Sequence, residues 1–156
     1  MTLVSIARDA EIAIVTVNNP PVNALSQALR EQLLETVDKL GADAGVRGVV
    51  LLCAGRTFIA GADVNEFDKP PMPPHLPDLV AAIESAPHPW LAAIHGAALG
   101  GGLEVALGCR FRLAARSASL GFPEVALGVI PGASGTVRTP RLIGVDAAVE
   151  LITSGK

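Results

Sequence analysis

Aromatic side chains are scarce: the 156 residues hold four Phe, one Trp (Trp90) and no Tyr. Packing must then rest on Ala, Val, Leu and Ile. Basic clusters are missing as well. Twelve Lys and Arg stand against fifteen Asp and Glu, a net charge of -3. No stripe of cations exists to hold nucleic acid or an anionic membrane surface, so neither is expected as a partner. No apolar run reaches the roughly 18 residues that a bilayer-spanning helix needs. The N-terminus shows no basic stretch followed by an apolar one, so no signal peptide is expected. A cytoplasmic protein is expected, or one in an organelle matrix without a visible targeting signal. The two cysteines, Cys53 and Cys109, lie in apolar surroundings without CxxC spacing, so reduced core thiols are expected rather than a disulfide. His75, His88 and His95 are scattered without metal-ligand spacing, and no metal site is expected.

Half the residues are apolar and 17% are charged, which excludes a disordered chain. The length allows one domain with a hydrophobic core. Sixteen glycines imply tight turns and close backbone approaches.

Leu3–Ala7 and Glu11–Val17 read as strands of a hairpin turning at Arg8–Ala10. Ser26 is placed to cap a helix running to about Leu40 and stopped by Gly41, with Leu29, Leu33, Val37 and Leu40 as its apolar stripe. Glu35 and Lys39 form a favourable i,i+4 pair on its other face. Gly48–Cys53 is an apolar run too short for a helix and reads as a buried strand. Asp63-Val-Asn-Glu66 matches a capping box. Lys69–Pro77 holds five prolines in nine residues and is expected to be a mobile surface excursion, followed by a helix from about Asp78 to Ser85. Trp90–Ile94 reads as a second buried strand, Gly102–Gly108 as a helix carrying Glu104 in its first turn, and Phe111–Ala114 and Ser119–Phe122 as strands. Pro123 opens a short helical turn bearing Glu124. One or two helices follow the loop at Gly128–Gly132, the last from about Asp146 to Thr153. This order points to an α/β fold with parallel pairing.

Two glycine-rich turns precede the chemistry-bearing residues: Phe58-Ile-Ala-Gly-Ala-Asp63 and Gly96-Ala-Ala-Leu-Gly-Gly-Gly102. Each follows a strand and opens a helix, where backbone N–H groups are left free. GxGxxG spacing is absent, and no Gly-Lys-Ser/Thr follows, which argues against dinucleotide and P-loop sites. Gly132-Ala-Ser-Gly-Thr136 lacks the spacing of a nucleophile elbow. Amides from two separate turns could grip one carbonyl oxygen. Glu104 and Glu124 could divide proton removal and delivery at one water, provided their environments set their protonation states apart. Singly, each acid reads equally well as a first-turn residue complementing a helix dipole.

Four segments together resemble the enoyl-CoA hydratase/isomerase, or crotonase, family: Asn19-Pro-Pro-Val-Asn-Ala-Leu-Ser26, Phe58–Asp63, His95-Gly-Ala-Ala-Leu-Gly-Gly-Gly-Leu-Glu104 and Phe122-Pro-Glu-Val-Ala-Leu-Gly-Val-Ile-Pro-Gly132. The resemblance implies repeated ββα units with two near-perpendicular sheets ringed by helices, and a homo-oligomer (trimer or hexamer) when full length. It implies that Ala62 and Gly101 donate N–H groups to a thioester oxygen. Glu104 and Glu124 match the catalytic acids, Gly132 a glycine beside the catalytic water, and Val22, Ala24, Ala60 and Val64 positions that embrace CoA. No cofactor is implied; the acyl-CoA thioester is the substrate. Complete domains of the family continue into helices that cover the site, so residues 1–156 are expected to form a single crotonase-like domain with the C-terminal helices missing. Ser134 stands where a glycine is usual, and Trp90 where the family has a smaller aliphatic residue.

The expected activity is addition of water across the 2,3 double bond of an enoyl-CoA in fatty-acid β-oxidation. The first segment looks closest to the hydratase/isomerase part of multifunctional enzymes that also carry a 3-hydroxyacyl-CoA dehydrogenase. An enoyl-CoA isomerase and a non-catalytic acyl-CoA-binding fragment are the alternatives.

Overall fold

Alternation of buried and open positions makes Ile12–Val17 a strand: Ala13, Val15 and Val17 are buried, and the residues between them are not. The computed structural model, which describes residues 1–66 and 69–155, pairs this strand (β2) antiparallel with Val4–Asp9 (β1). The turn of the hairpin falls at Ala10 and Glu11, two residues later than expected, with Ala10 at φ 51°. Gly48–Cys53 (β3), Trp90–Ile94 (β4) and Phe111–Ala114 (β6) continue the sheet in parallel, in the order β1-β2-β3-β4-β6. The near-continuous apolar sequences of β3 and β4 suit strands covered on both faces, whereas β6, at the edge, is largely exposed. A second sheet pairs Ala97–Leu99 (β5) with Ser119–Gly121 (β7), also in parallel. The glycine-rich segment was expected to be a turn throughout; the β5 pairing corrects that.

Helix α1 (Gln27–Gly41) starts at Ser26, whose hydroxyl accepts the Leu29 N–H at 3.4 Å, and buries Leu29, Leu33, Val37 and Leu40. Glu35 and Lys39 are not among the ion pairs of the described residues, which are Arg8–Asp43, Arg30–Glu66 and Arg138–Glu84. Helix α2 spans Leu76–Ser85, two residues earlier than expected. Pro77 fits its first turn because a residue there needs no N–H partner, and Asp78 accepts the His75 backbone N–H at 3.1 Å. Helices α3 (Gly101–Gly108), α4 (Gly135–Ile143) and α5 (Val145–Ser154) follow.

The chain thus repeats one unit: β1-β2-α1, then β3 with a bridge at Ile59 and α2, then β4-β5-α3, then β6-β7-α4. From the second unit onward, the first strand enters the large sheet and the following segment joins the small layer, where Ile59 bridges Ala98 of β5 and β5 pairs β7. The capping box expected at Asp63–Glu66 does not form. Asp63 Oδ1 accepts the Asn65 N–H at 3.0 Å, while Glu66 reaches across to α1, accepting from the Gln27 N–H at 2.6 Å and from Arg30 at 2.9 Å. Arg30 also donates to the carbonyls of Leu25, Met72 and Pro74. Gln27 takes the Pro73 carbonyl at 3.1 Å. The proline-rich segment lies on the surface as expected, but three of its carbonyls are held by α1.

Trp90 and Phe58 are buried in the aliphatic core, and Phe122 is buried as well. Both cysteines are buried and free. Burial pushes the Cys109 thiol up to about 12 and that of Cys53 higher still, so neither offers a thiolate near neutral pH.

Candidate active site

Three neighbouring segments of the small layer run in parallel, and the turns that leave their C-terminal ends meet. After Ile59 comes Gly61-Ala62; after β5 comes Gly100-Gly101; after β7 comes Pro123-Glu124. Residues far apart in sequence are therefore side by side at one end of the layer, where ligands of open α/β sheets are commonly bound. The first two turns are locked together. A Cβ added to Gly102 would lie 2.1 Å from the Ile59 carbonyl oxygen, so only glycine permits that approach. A Cβ on Gly101 would stand 3.9 Å from the Ala62 nitrogen. Gly101 opens α3, so its N–H has no partner within the helix. Neither amide has a protein acceptor among the described residues.

These turns enclose a cavity of about 340 Å³. Of the residues singled out from the sequence, Ala60, Ala62, Val64, Gly101, Glu104, Glu124 and Gly132 line it. Val22 and Ala24 do not. They lie on the adjacent segment, where Val22 accepts the Ala60 N–H at 3.2 Å and Leu25 donates to Gly61 at 2.9 Å. Asn23 fixes that segment: buried, at φ 55°, it donates to the carbonyls of Ala54 and Thr57 at 2.9 and 3.0 Å. A larger cleft of about 620 Å³ between α2, α3 and α4 carries four arginines. Its Glu84 is engaged by Arg138 at 2.6 Å and held below the ordinary carboxylate range by that hydrogen bond. It has no free carboxylate pair, whereas the smaller cavity brings Glu104 and Glu124 together.

Glu104 sits in the first turn of α3, directed into the protein, with 2% of its surface exposed. Its Oε1 accepts the N–H groups of Ala133 and Gly135, each at 2.7 Å. Burial pushes its carboxyl above the usual range, while the amides of Gly135 and Ala133 and the charge of Arg138 pull it back. Glu124, in the 3-10 turn Pro123–Leu127, has a buried Oε2 with no hydrogen-bond partner. Burial also pushes it up; its own backbone N–H opposes the shift and the charge of Glu104 adds to it. The two acids therefore feel each other across the cavity in unlike settings. One is furnished with donors and a nearby cation; the other has an unpartnered oxygen and a negative neighbour. That difference is what lets two carboxylates take separate acid and base roles.

The Ala133 and Gly135 amides escaped the sequence reading because backbone donors leave no side-chain signature; the Gly132-Ala-Ser-Gly135 pattern was the only hint of a tight turn. Leu76 and Gly100, which also line the cavity, were hidden by the proline run and the glycine run. No cluster of three metal-ligating side chains occurs among the described residues, and no helix among them is long and apolar enough to cross a membrane.

Comparison with known proteins gives concordant results. The family model for enoyl-CoA hydratase/isomerase matches residues 7–156. The chain is 47% identical to a probable enoyl-CoA hydratase of Bacillus subtilis (strain 168) over 163 aligned residues, covering all of this chain and 63% of that protein. It is 49% identical over 145 residues to the peroxisomal bifunctional enzyme of Danio rerio, covering 93% of this chain and 20% of that protein. The crystal structure of an enoyl-CoA hydratase from Bacillus anthracis superposes with a TM-score of 0.93 at 40% identity, over 99% of this chain and 64% of that one. The chain thus spans less than two thirds of each of these relatives, and the two-sheet arrangement is that of the crotonase fold.

Proposed function

The chain belongs to the enoyl-CoA hydratase/isomerase family, and on that premise we propose that it adds water across the 2,3 double bond of an enoyl-CoA, giving a 3-hydroxyacyl-CoA in fatty-acid β-oxidation. The observation that carries this reading is the pair Glu104 and Glu124 on one cavity, one acid held by two amides and the other with an unpartnered oxygen. In this mechanism the thioester oxygen accepts hydrogen bonds from the amides of Ala62 and Gly101, which draws electron density from the double bond and leaves C3 electrophilic. Glu104, ionised, takes a proton from water as the water oxygen bonds to C3. The enolate formed is stabilised by the same two amides. Glu124, protonated, then gives its proton to C2. One water is consumed, and a proton passes from Glu104 back to Glu124 through solvent before the next cycle. Ala60 and Val64 form the wall along which the CoA arm lies, with Val22 and Ala24 beside it, and Gly132 borders the water.

A second reading, migration of a double bond between positions 3 and 2, requires one carboxylate to carry a proton between C4 and C2. The unpartnered oxygen of Glu124 supports it. Similarity to one fifth of a bifunctional enzyme supports placing this chain as the hydratase part of a multifunctional protein. Two substrates separate the readings. With crotonyl-CoA, hydration removes the conjugated thioester absorbance and adds the mass of one water. With a 3-enoyl-CoA, isomerisation produces that absorbance at constant mass. The proposal expects the first outcome; conjugation gained from a 3-enoyl-CoA with no water adduct from crotonyl-CoA assigns the isomerase instead.

A further inference from the structure

Ser134 separates the two residues that hold Glu104, and its backbone is in the left-handed region, φ 71° and ψ 22°. Amides two positions apart lie too far from each other in an extended chain to meet on one atom. A left-handed residue between them curls the chain into a concave nest whose flanking N–H groups converge on an anion. Here the anion is a side chain of the protein itself: Ala133 and Gly135 both donate to Glu104 Oε1 at 2.7 Å. The Ser134 hydroxyl has no hydrogen-bond partner among the described residues and caps nothing at the start of α4. What this residue supplies is its backbone shape, which glycine adopts freely and serine only against a steric penalty. Gly135 completes the nest. A Cβ there would come within 3.0 Å of Glu104 Oε1 and 2.9 Å of the Phe122 ring, so the carboxylate is pressed against the turn.

We propose that Ser134 is a positioning residue for Glu104: its left-handed conformation aims two amides at one carboxylate oxygen and leaves the other oxygen as the one free to face the cavity. This inference rests on the reading of Glu104 as the base in hydration. The nest has two effects there. It fixes the rotation of the carboxylate, so one oxygen alone meets water. It also supplies fixed donors to the charged form in a site where burial opposes charge. The other charged group acting on Glu104 is Arg138 from α4, which favours the carboxylate; Glu124, in the 3-10 turn, lines the same cavity and is itself pushed up by the charge of Glu104.

The test reads the carboxylate directly. Glu104 is titrated by NMR of protein labelled with ¹³C at the glutamate side chains, its signal assigned by its loss in Glu104→Gln. Ser134→Ala keeps the backbone preference of serine and removes the hydroxyl; it is expected to leave the Glu104 midpoint where it was. Ser134→Gly is expected to keep that midpoint and to raise Tm by about 2–4 °C, since it removes a penalty of about 1 kcal/mol in a chain of this size. Ser134→Val, whose β-branch opposes the left-handed region, is expected to open the nest and move the midpoint upward by about one pH unit or more, as loss of a hydrogen bond to a charged group should. An unmoved midpoint in Ser134→Val, or an equal shift in Ser134→Ala, overturns the proposal. Should Ser134→Val fail to fold, Ser134→Gly decides: a Tm unchanged or lowered overturns the claim that this backbone is held against a penalty. None of these readouts depends on turnover, so failure of hydration and failure of the nest give different results.

Discussion

The carboxylate of Glu124 lies over the α-carbon of Gly100: a Cβ on that glycine would stand 2.6 Å from Oε1 and 3.2 Å from the carboxyl carbon. Gly100 also has φ 52° and ψ -124°, a backbone state that a side chain opposes. The residue before Gly101 is thus the floor on which the Glu124 side chain rests. Gly100→Ala is expected to displace Glu124 and to lower hydration of crotonyl-CoA by about a hundredfold or more, the range in which a positioned acid or base contributes. Steady-state rates on that substrate check it.

Arg30 ties α1 to Glu66 and to the proline-rich segment. It is buried, pairs with Glu66 at 2.9 Å and donates to three backbone carbonyls. Removing one member of such a pair leaves its partners without donors. Arg30→Met is expected to destabilise the chain by about 3 kcal/mol, read as a lower urea midpoint at unchanged slope.

Both acids are pushed above the ordinary carboxylate range, and the sign of the linkage follows. A carboxyl with a higher pKa in the folded state binds more protons there than in the unfolded chain. Stability is therefore lost as pH rises from the unfolded value through the folded one. Glu124→Gln is expected to melt at a higher temperature than the parent at pH 7. The difference should vanish below the ordinary carboxylate pKa, where both side chains are neutral. Thermal melts across this range check it; a difference that grows on acidification contradicts the shift.

Much of this was legible from residues. Gly48–Cys53 was readable to the residue because a strand inside a parallel sheet writes a continuous apolar run, and Ser26 because a cap has a side chain to read. β5 was not legible. Three residues of a glycine-rich segment become a strand through pairing with β7, and the local sequence carries no trace of that tertiary partner. Glu66 was misread for a related reason: its spacing from Asp63 suits a capping box, but Arg30 and the Gln27 amide, distant in sequence, compete for it successfully. At the site, the acids and the glycine turns were found from side-chain type and spacing. The nest around Glu104 is made of amides alone and becomes visible only in the fold.

The outer edge of β6 has no strand partner among the described residues, and Phe111 and Leu113 on it are 55% and 67% exposed. Leu142, Ile143 and Val145, at the junction of α4 and α5, are open as well. An apolar edge of this kind associates. The isolated chain is expected to elute as an assembly in light-scattering chromatography; a sharp monomer peak that binds no dye for apolar surface contradicts this.

The central claim is that Glu104 and Glu124 act on one water. Hydration of crotonyl-CoA by Glu104→Gln, Glu124→Gln and the double variant tests it most directly. Each single change is expected to lower turnover by at least about a hundredfold with little change in acyl-CoA affinity, because the grip on the thioester comes from backbone amides. The double variant should be scarcely slower than the worse single one, since groups serving one step are not additive. Turnover that survives either substitution, or losses that multiply in the double variant, would contradict the two-carboxylate account.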